Sequence, residues 1–169
     1  PGRDHTEFQR NPFRTDWDFD FNTDTLQYHV QDKMTFGDLT LNVGWKGFQV
    51  NNEANPIFLR VPGSNAGGKI KSQDWFQPHA GVAYKISDRA ELFGGFTQVT
   101  RAFVSSVTSG PFSTTQAGFN GLVARGLKPE ESDTYELGAR YNDSTFNGVI
   151  GVYYVNFRNR LLGIPTGVG

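Results

Sequence analysis

The stretch TLQYHVQDKMTFGDLTLNVGW, residues 25–45, consists of two alternating runs joined by the short turn Gly37-Asp38. In the first run, every second residue from 26 to 36 is apolar apart from Asp32, and the residues between them are polar. In the second run, the apolar positions are Leu39, Leu41, Val43 and Trp45. A period of two is typical of β-strands with one apolar face. The stretch therefore predicts an antiparallel hairpin.

Two further hairpins follow the same plan. The turn Ser87-Asp88-Arg89 joins runs at about 75–86 and 90–101, and Asn142-Asp143-Ser144 joins runs at about 134–141 and 145–160. Pro78 is awkward in a central strand and predicts a local irregularity there. No run repeats with the 3.6-residue period of an amphipathic helix. We therefore predict an all-β antiparallel chain of about six strands in three hairpins, with no helix.

The segments that connect the hairpins are much longer than the turns inside them. Long loops are predicted at about 1–23, 52–74 and 102–131, whereas each turn has only two or three residues. Short turns on one edge and long loops on the other are typical of outer-membrane β-barrels. Six strands cannot close around a polar lumen, and an open sheet edge cannot face lipid. The pattern therefore predicts an antiparallel transmembrane β-barrel segment that belongs to a larger barrel.

The composition excludes several other classes of protein. With 37% hydrophobic residues and a mean hydropathy of −0.48, the chain has no apolar run approaching the roughly 18 residues of a transmembrane helix. A net charge of −1 gives no electrostatic reason to expect a nucleic-acid partner. Because cysteine is absent, disulfides and thiolate metal sites are excluded.

Aromatic residues lie at both ends of the apolar faces. Tyr28 and Phe36 are eight residues apart, as are Phe76 and Tyr84. At about 3.3 Å per residue this is roughly 26 Å along a strand. A tilt of about 40° reduces the span to about 20 Å, close to the apolar band of a membrane barrel. The opposite faces are polar, and the candidate lumen-facing residues on them are Gln27, His29, Gln77, His79, Glu136 and Arg140.

Alternating strands also fit a soluble protein. A secreted β-sandwich, for example a glycan-binding module, has strands with one apolar face. A sandwich has no reason to keep every short turn at one end, which favours the barrel. The two folds differ in the surface formed by Leu26, Val43, Val82 and Leu137, which a barrel exposes to lipid and a sandwich buries against a second sheet.

Four segments of the chain share a sequence pattern with a known family. They are TLQYHVQDKMTFGDLTLNVGWKG at 25–47, WFQPHAGVAYKISDRAELFGGFTQVTRAF at 75–103, LKPEESDTYELGARY at 127–141 and FNGVIGVYYVNFRNRLL at 146–162. Together they resemble the C-terminal half of the barrel of a TonB-dependent outer-membrane receptor. Val104 departs from the pattern, since many members have proline there. The resemblance implies a 22-stranded barrel, of which residues 1–169 are expected to be an internal part without the plug domain, the TonB box and the remaining strands.

The resemblance implies transport rather than enzymatic catalysis. Receptors of this family bind a scarce ligand, most often a ferric siderophore, and import it with energy from the TonB complex. The implied location is the bacterial outer membrane. The implied partners are outer-membrane lipid, the ferric siderophore or a similar small ligand, and the TonB complex through regions outside this chain. A passive porin-like channel is the alternative, because it would share the strand pattern and lack a plug.

Candidate ligand contacts are basic and aromatic residues in or beside two of the long loops. Guanidinium and ammonium groups suit anionic chelates, and aromatic rings stack on catecholates and other ring systems. At each position, an ordinary surface charge or a loop-packing aromatic residue is the alternative. The candidates are Arg60, Lys69, Lys71, Arg101, Phe112, Phe119 and Arg125.

No catalytic constellation, metal site or cofactor is predicted. His29 and His79 lie in different hairpins without clustering, so hydrogen bonding in the lumen is expected for both. The serines at 105, 106 and 109 have no spaced His or Asp partner that would activate a nucleophile.

Overall fold

The computed structural model describes residues 14–160, which contain one six-stranded antiparallel sheet with the strands in sequence order. The strands are β1 (Trp17–Phe36), β2 (Leu39–Leu59), β3 (Gly68–Lys85), β4 (Ala90–Arg101), β5 (Glu130–Asn142) and β6 (Asn147–Arg158). A 3₁₀ segment (Pro111–Ser113) and one helix, α1 (Gln116–Ala124), lie between β4 and β5. The predicted class, six strands and three hairpins are confirmed. Residues 1–13 of the first predicted loop and residues 161–169 lie outside the described residues.

The hairpin turns lie where the alternation predicts them. Gly37 has a φ of 60°, the left-handed conformation that a two-residue hairpin turn requires and that glycine adopts readily. In the second turn, the Ser87 hydroxyl accepts hydrogen bonds from the backbone N–H groups of Arg89, at 3.2 Å, and Ala90, at 3.1 Å. Both turns are therefore set by local chemistry.

Asp143 organises the third turn. Its Oδ1 accepts from the backbone N–H groups of Thr145, at 2.7 Å, and Phe146, at 2.8 Å, and its Oδ2 accepts from the Tyr141 hydroxyl at 3.0 Å. These hydrogen bonds hold the pKa of Asp143 below its ordinary value, and the bond from Thr145 contributes most. Because the pKa is lower in the folded state, the ionised carboxylate stabilises the turn at any pH above the ordinary carboxyl pKa. This stabilisation is lost as the pH falls through the pKa of the folded state. The turn is therefore expected to loosen only in acid.

The strand register collects apolar residues into rows on one face of the sheet. One row contains Val82, Gly94, Leu137 and Val152, and the next contains Tyr84, Leu92, Ala139 and Ile150. The diagnostic residues Leu26, Val43, Val82 and Leu137 are 64%, 40%, 42% and 63% exposed. No second sheet covers this face within residues 14–160, so the β-sandwich alternative is wrong. An open sheet with an exposed apolar face fits a barrel segment.

Aromatic residues mark both margins of the apolar face, as predicted. Phe96, Tyr135 and Tyr154 form a row at one margin, with ring centroids 5.0 Å apart for the first pair and 6.4 Å for the second. At the other margin, the rings of Tyr141 and Phe146 lie 6.3 Å apart. Phe146 and Tyr154 are eight residues apart in sequence. That separation is roughly 26 Å along a strand, the span expected before tilting.

Beyond the Phe96 row the same face becomes polar. The next row contains Gln98, Asp133 and Asn156, and the one after it contains Thr100, Glu131 and Arg158. The Arg158 guanidinium contacts the carboxylate of Asp133 at 2.8 Å and also that of Glu131. Ionised side chains are costly in hydrocarbon. The apolar band therefore ends at the aromatic row.

Three strands extend by at least seven residues into segments that the sequence predicts to be loops, and β5 extends by two. β1 begins at Trp17, β2 continues to Leu59 and β3 begins at Gly68. The start of β1 is polar on one side because it carries aspartates, which are uncommon in strands. On its other side the ring centroids of Trp17, Phe19 and Phe21 are 6.5 and 5.5 Å apart in succession. These aromatic contacts, one edge-to-face and one stacked, stabilise the extension.

The prediction that the chain contains no helix is wrong. α1 begins after Thr115, whose hydroxyl accepts a hydrogen bond from the backbone N–H of Gly118 at 3.2 Å, as an N-cap residue does. It is followed by Gly126, with a φ of 72°, a conformation common after helix C-termini. Nine residues with two glycines are too few to reveal a 3.6-residue period. Within residues 14–160, no helix is long and apolar enough to cross a membrane.

The described residues divide into two compact units. The sheet unit comprises Asp24–Asn51, Lys71–Phe103 and the residues from Lys128 onward, and the loop unit comprises residues 14–23, Asn52–Ile70 and Val104–Leu127. The loop unit has a core of its own, in which Ala54, Ala66 and Phe112 are fully buried. It is therefore a folded structure rather than a set of independent loops.

Gln116 joins two segments of the loop unit. Its Oε1 accepts from the backbone N–H of Gly67 at 2.9 Å, and its Nε2 donates to the Gly67 carbonyl at 3.0 Å. We expect Gln116→Ala to lower the local stability of the loop unit by about 1–3 kcal/mol, because both bonds are lost. Limited proteolysis of the full-length protein should then cleave residues 104–127 faster. Gln73→Ala is the control, since Gln73 is an exposed glutamine, and an unchanged cleavage rate for Gln116→Ala would contradict the assignment.

Candidate functional site

A cavity of about 530 Å³ lies in the sheet unit. Its polar lining residues are Thr25, Gln27, His29, Lys46, Gln77 and Thr100, and the others are Tyr28, Gly47, Phe48, Val50 and Ala102. By strand alternation, residues 25, 27 and 29 lie on the face opposite Leu26 and Val30, which is the polar face of the sheet. The volume is within the range of about 300–1,000 Å³ that is typical of small-molecule sites. The cavity is therefore the candidate binding site of this chain.

Gln77 is the most buried polar residue of the cavity, with 1% of its surface exposed. Its Oε1 accepts a hydrogen bond from the backbone N–H of Thr100 at 2.9 Å. The residue pairs of β3 and β4 run from Lys85 to His79 and stop before Pro78, which has no N–H to donate. The Gln77 side chain thus bonds the backbone of β4 beyond the last residue pair of the two strands. The irregularity predicted at Pro78 is confirmed.

The free amide nitrogen of Gln77 has no hydrogen-bond partner among the described residues. The oxygen and nitrogen of the Gln77 amide can be told apart, because only the carbonyl oxygen can accept a hydrogen bond from the Thr100 N–H. An unpaired buried donor costs about 1–3 kcal/mol. This nitrogen is itself buried, so the unused donor is not exposed to the cavity in this structure.

The cavity lining contains one permanently charged residue, Lys46, and the Asp74 carboxylate lies behind the lining, hydrogen-bonded to the Thr100 hydroxyl. Lys46 is exposed and forms no ion pair with another described residue. Among the described residues that line the cavity, Lys46 is the one with a permanent charge, and none is a carboxylate. Phe48 and Val50 provide apolar surface beside it. The site can therefore receive an anionic group attached to an apolar or carbon-rich framework.

The structure brings together three of the six predicted lumen-facing residues, since Gln27, His29 and Gln77 all line the cavity. His79, two residues after Gln77, is not among the residues that line the cavity, and its ring lies over Gly44. A Cβ added at Gly44 would lie 2.7 Å from His79 Cε1. Glycine at this position leaves the space in which the imidazole ring packs. This is a structural role for His79.

Glu136 and Arg140 lie on the same face as His79 by the strand register, but toward the third turn. The Arg140 guanidinium contacts the Glu91 carboxylate at 2.9 Å and lies over the Phe93 ring, 5.3 Å from its centroid. Glu136 is the cross-strand neighbour of Gly95. Because the sheet is open among the described residues, the lumen-facing orientation of this face stays a prediction.

The two aromatic ligand candidates are parts of the loop-unit core. Phe112 is fully buried and Phe119 is 4% exposed, and their rings are stacked with centroids 5.3 Å apart. Phe21 packs against Phe112 at 6.3 Å. Contacts within the loop unit account for both residues, which a ligand cannot reach in this structure.

The basic candidates differ in how far they are already paired. Arg60 contacts Asp16 at 3.3 Å, and Lys69 contacts Glu53 at 3.1 Å. Arg14 and, to a smaller extent, Arg60 hold the pKa of Asp16 below its ordinary value through hydrogen bonds. Lys71, Arg101 and Arg125 form no ion pair with another described residue. Ligand binding by these cations stays a prediction.

The sequence analysis missed Lys46 and Phe48 as site residues. Ligand contacts were sought in the loops, whereas both residues lie within β2. Lys46 is a single cation on the polar side of its strand, and that signal was present in the sequence. Within residues 14–160, no group of three or more His, Cys, Asp or Glu residues is placed to hold a metal ion.

An antiparallel sheet with an exposed apolar face, aromatic margins and a polar reverse face defines a segment of an outer-membrane β-barrel. The family model described as "TonB dependent receptor-like, beta-barrel" matches residues 2–169. The chain therefore belongs to the TonB-dependent receptor family, whose members are outer-membrane β-barrel proteins of Gram-negative bacteria.

Two solved structures show the same fold. One is the ferric citrate transporter FecA in its unliganded form, with a TM-score of 0.62 and 21% identity over 84% of this chain and 19% of FecA. The other is the alcaligin outer-membrane receptor FauA from Bordetella pertussis, with a TM-score of 0.61 and 20% identity over 88% of this chain and 23% of FauA. The chain thus spans about a fifth of the length of these proteins.

Proposed function

We propose that this chain is part of the barrel wall of a receptor that binds a ferric siderophore, or a similar metal chelate, and imports it with energy from the TonB complex. Family membership over the whole chain is the observation that carries the proposal. The exposed apolar face suits contact with outer-membrane lipid, and the polar face with its cavity suits contact with a ligand.

The complete receptor is proposed to contain 22 strands and a plug domain, with residues 1–169 as an internal part of the barrel. The contact with the TonB complex would then be made by regions outside this chain. Arg60, Lys69, Lys71, Arg101 and Arg125 are proposed as cations that attract an anionic chelate to the receptor. The proposed role is binding and transport, without a catalytic step.

Two relatives of known structure are consistent with this cargo. FecA is named as a ferric citrate transporter and FauA as the receptor for alcaligin. Their identity to this chain is only 21% and 20%, so they support the fold and suggest which chelates to test first.

Uptake of radioactive iron tests the proposal. The full-length receptor would be expressed in a Gram-negative host without its own ferric-chelate receptors and supplied with a panel of ⁵⁵Fe chelates. We expect iron accumulation from at least one chelate in the host with an intact TonB complex, and none in the same host without that complex. Accumulation that persists without the TonB complex would favour the porin-like channel. Failure with every chelate would overturn the proposed cargo.

A further inference from the structure

We infer that β3 and β4 form a seam in the sheet that opens locally while each strand stays paired with its other neighbour. The seam comprises residues 72–77, in β3, and residues 98–103, at the end of β4 and just beyond it. When it opens, the side-chain hydrogen bonds between the two segments break and the strands separate there. This movement belongs to the wall itself and does not depend on which ligand is transported.

The backbone pairing of β3 and β4 stops at the edge of the seam. The residue pairs end at His79 and Thr97. If the same register continued, Phe76 would pair with Thr100. In this structure the Phe76 N–H donates to the Asp74 carboxylate at 3.0 Å, and the Thr100 N–H also donates to a side chain. The two strands therefore run past each other here without the usual backbone ladder.

Three side chains of β3 hold the seam together. Gln77 Oε1 accepts from the Thr100 N–H at 2.9 Å, and the Asp74 carboxylate accepts from the Thr100 hydroxyl. The Ser72 hydroxyl accepts from the Phe103 N–H at 3.0 Å. Each of these side chains must stay in one rotamer, which costs side-chain entropy that a backbone ladder does not cost. The seam is therefore held less firmly than the ladder beside it.

Both strands of the seam are held by their other neighbours. β4 is paired with β5 without a gap from Ala90 to Arg101. β3 lies close to β2, since a Cβ added at Gly47 would be 2.7 Å from the Trp75 carbonyl oxygen. That oxygen also accepts a hydrogen bond from the Tyr28 hydroxyl. The seam can therefore open without unfolding either strand.

The closed seam contains an unpaired polar group. The amide nitrogen of Gln77 is buried and has no hydrogen-bond partner among the described residues. Such groups are rare in native proteins, because a buried donor has lost its hydrogen bonds with water. Opening of the seam hydrates this nitrogen, which offsets part of the free energy lost with the other bonds. Segments that open at low cost in this way are those that move when a protein functions.

The opening also changes the cavity of the sheet unit, because both sides of the seam line it. Gln77 lies in β3, Thr100 lies in β4, and Ala102 follows β4. When these residues separate, the cavity enlarges along the seam and the amide of Gln77 becomes accessible from it. The seam is therefore a gate in the wall of the cavity.

Hydrogen exchange at single-residue resolution in the full-length receptor, in lipid nanodiscs, tests the inference. The Thr100 N–H points into the seam, whereas the Val99 N–H faces β5 by the alternation of an antiparallel strand. After correction for intrinsic exchange rates, we expect the Thr100 amide to exchange about tenfold or more faster than the Val99 amide. Equal rates would show that the end of β4 opens as a unit and would overturn the inference, as would slower exchange at Thr100.

Gln77→Ala tests the side chain that holds Thr100. We expect the Thr100 amide to exchange about tenfold faster than in the wild type, because its acceptor is lost, with no change at Val99. The control is Ser132→Ala, which removes a side-chain hydrogen bond of 3.4 Å to the Val99 carbonyl from the β5 side and should leave Thr100 unchanged. Unchanged exchange at Thr100 in Gln77→Ala would contradict the inference.

The heat-dependent electrophoretic mobility of folded barrels would show that each variant has assembled. If Gln77→Ala does not assemble, the comparison of Thr100 with Val99 in the wild type decides alone. Neither result bears on the proposed function, which fails only if no chelate of the uptake panel is taken up.

Discussion

Replacing Ile150 by arginine is expected to destabilise the full-length barrel by about 2–4 kcal/mol, the cost of placing arginine on the lipid face at the membrane midplane. Ile150 lies in the apolar row with Ala139 and Leu92. It is midway between Phe146 and Tyr154, the aromatic residues at the two margins of β6. In the present structure its side chain is 75% exposed. In water such an exposed position would tolerate arginine, so the penalty measures contact with lipid.

Tyr153→Arg is the matched control for this prediction. Tyr153 is an exposed residue of the same strand, at 78%, but its side chain lies on the opposite face. Its cross-strand neighbour is Glu136, which can pair with the new guanidinium. We expect a change of less than about 1 kcal/mol, as for most surface substitutions.

Urea unfolding of the receptor in lipid vesicles, followed by tryptophan fluorescence, would measure both variants. A large loss of stability in Ile150→Arg together with a small change in Tyr153→Arg assigns the two faces to lipid and lumen. Equal effects, or a larger effect for Tyr153→Arg, would show that the assignment of the faces is wrong.

The faces and turns could be predicted from sequence because both are local. Alternation at residues 26–36 and 39–45 assigns each side chain to a face, and Gly37 supplies the conformation that the turn requires. An aqueous sheet and a membrane sheet share this alternation. They were distinguished by the lengths of the connecting loops and by the aromatic margins, which reflect the thickness of the membrane rather than the fold alone.

The loop unit and the cavity could not be predicted because they depend on distant contacts. Phe112 and Phe119 looked like ligand contacts because sequence does not reveal that their rings stack on each other. The cavity depends on Gln77 meeting the Thr100 N–H, 23 residues along the chain. Pro78 indicated an irregularity at this place, but only the structure shows that a neighbouring side chain completes the hydrogen bonding.

Gly138→Ala is expected to destabilise the barrel by about 1–3 kcal/mol, the usual cost of overpacking. An added Cβ at Gly138 would lie 2.5 Å from the carbonyl oxygen of Ile150 and would also overlap the ring of Phe93. The carbonyl belongs to the neighbouring strand, so relief requires a backbone shift. The Phe93 ring is in turn covered by the Arg140 guanidinium.

Gly94→Ala is the control, because Gly94 pairs with Leu137, next to the pair of Phe93 and Gly138. A Cβ at Gly94 would have its nearest neighbour, the Glu136 carbonyl oxygen, at 3.4 Å, an ordinary contact distance. Alanine also loses less conformational freedom than glycine in a strand, by roughly 0.5–1 kcal/mol. We expect Gly94→Ala to be neutral or slightly stabilising in the same urea experiment. A Gly138→Ala receptor as stable as Gly94→Ala would mean that the Ile150 carbonyl and the Phe93 ring lie farther from Gly138 than the structure places them, because the overlap with these two groups is the reason for the expected difference.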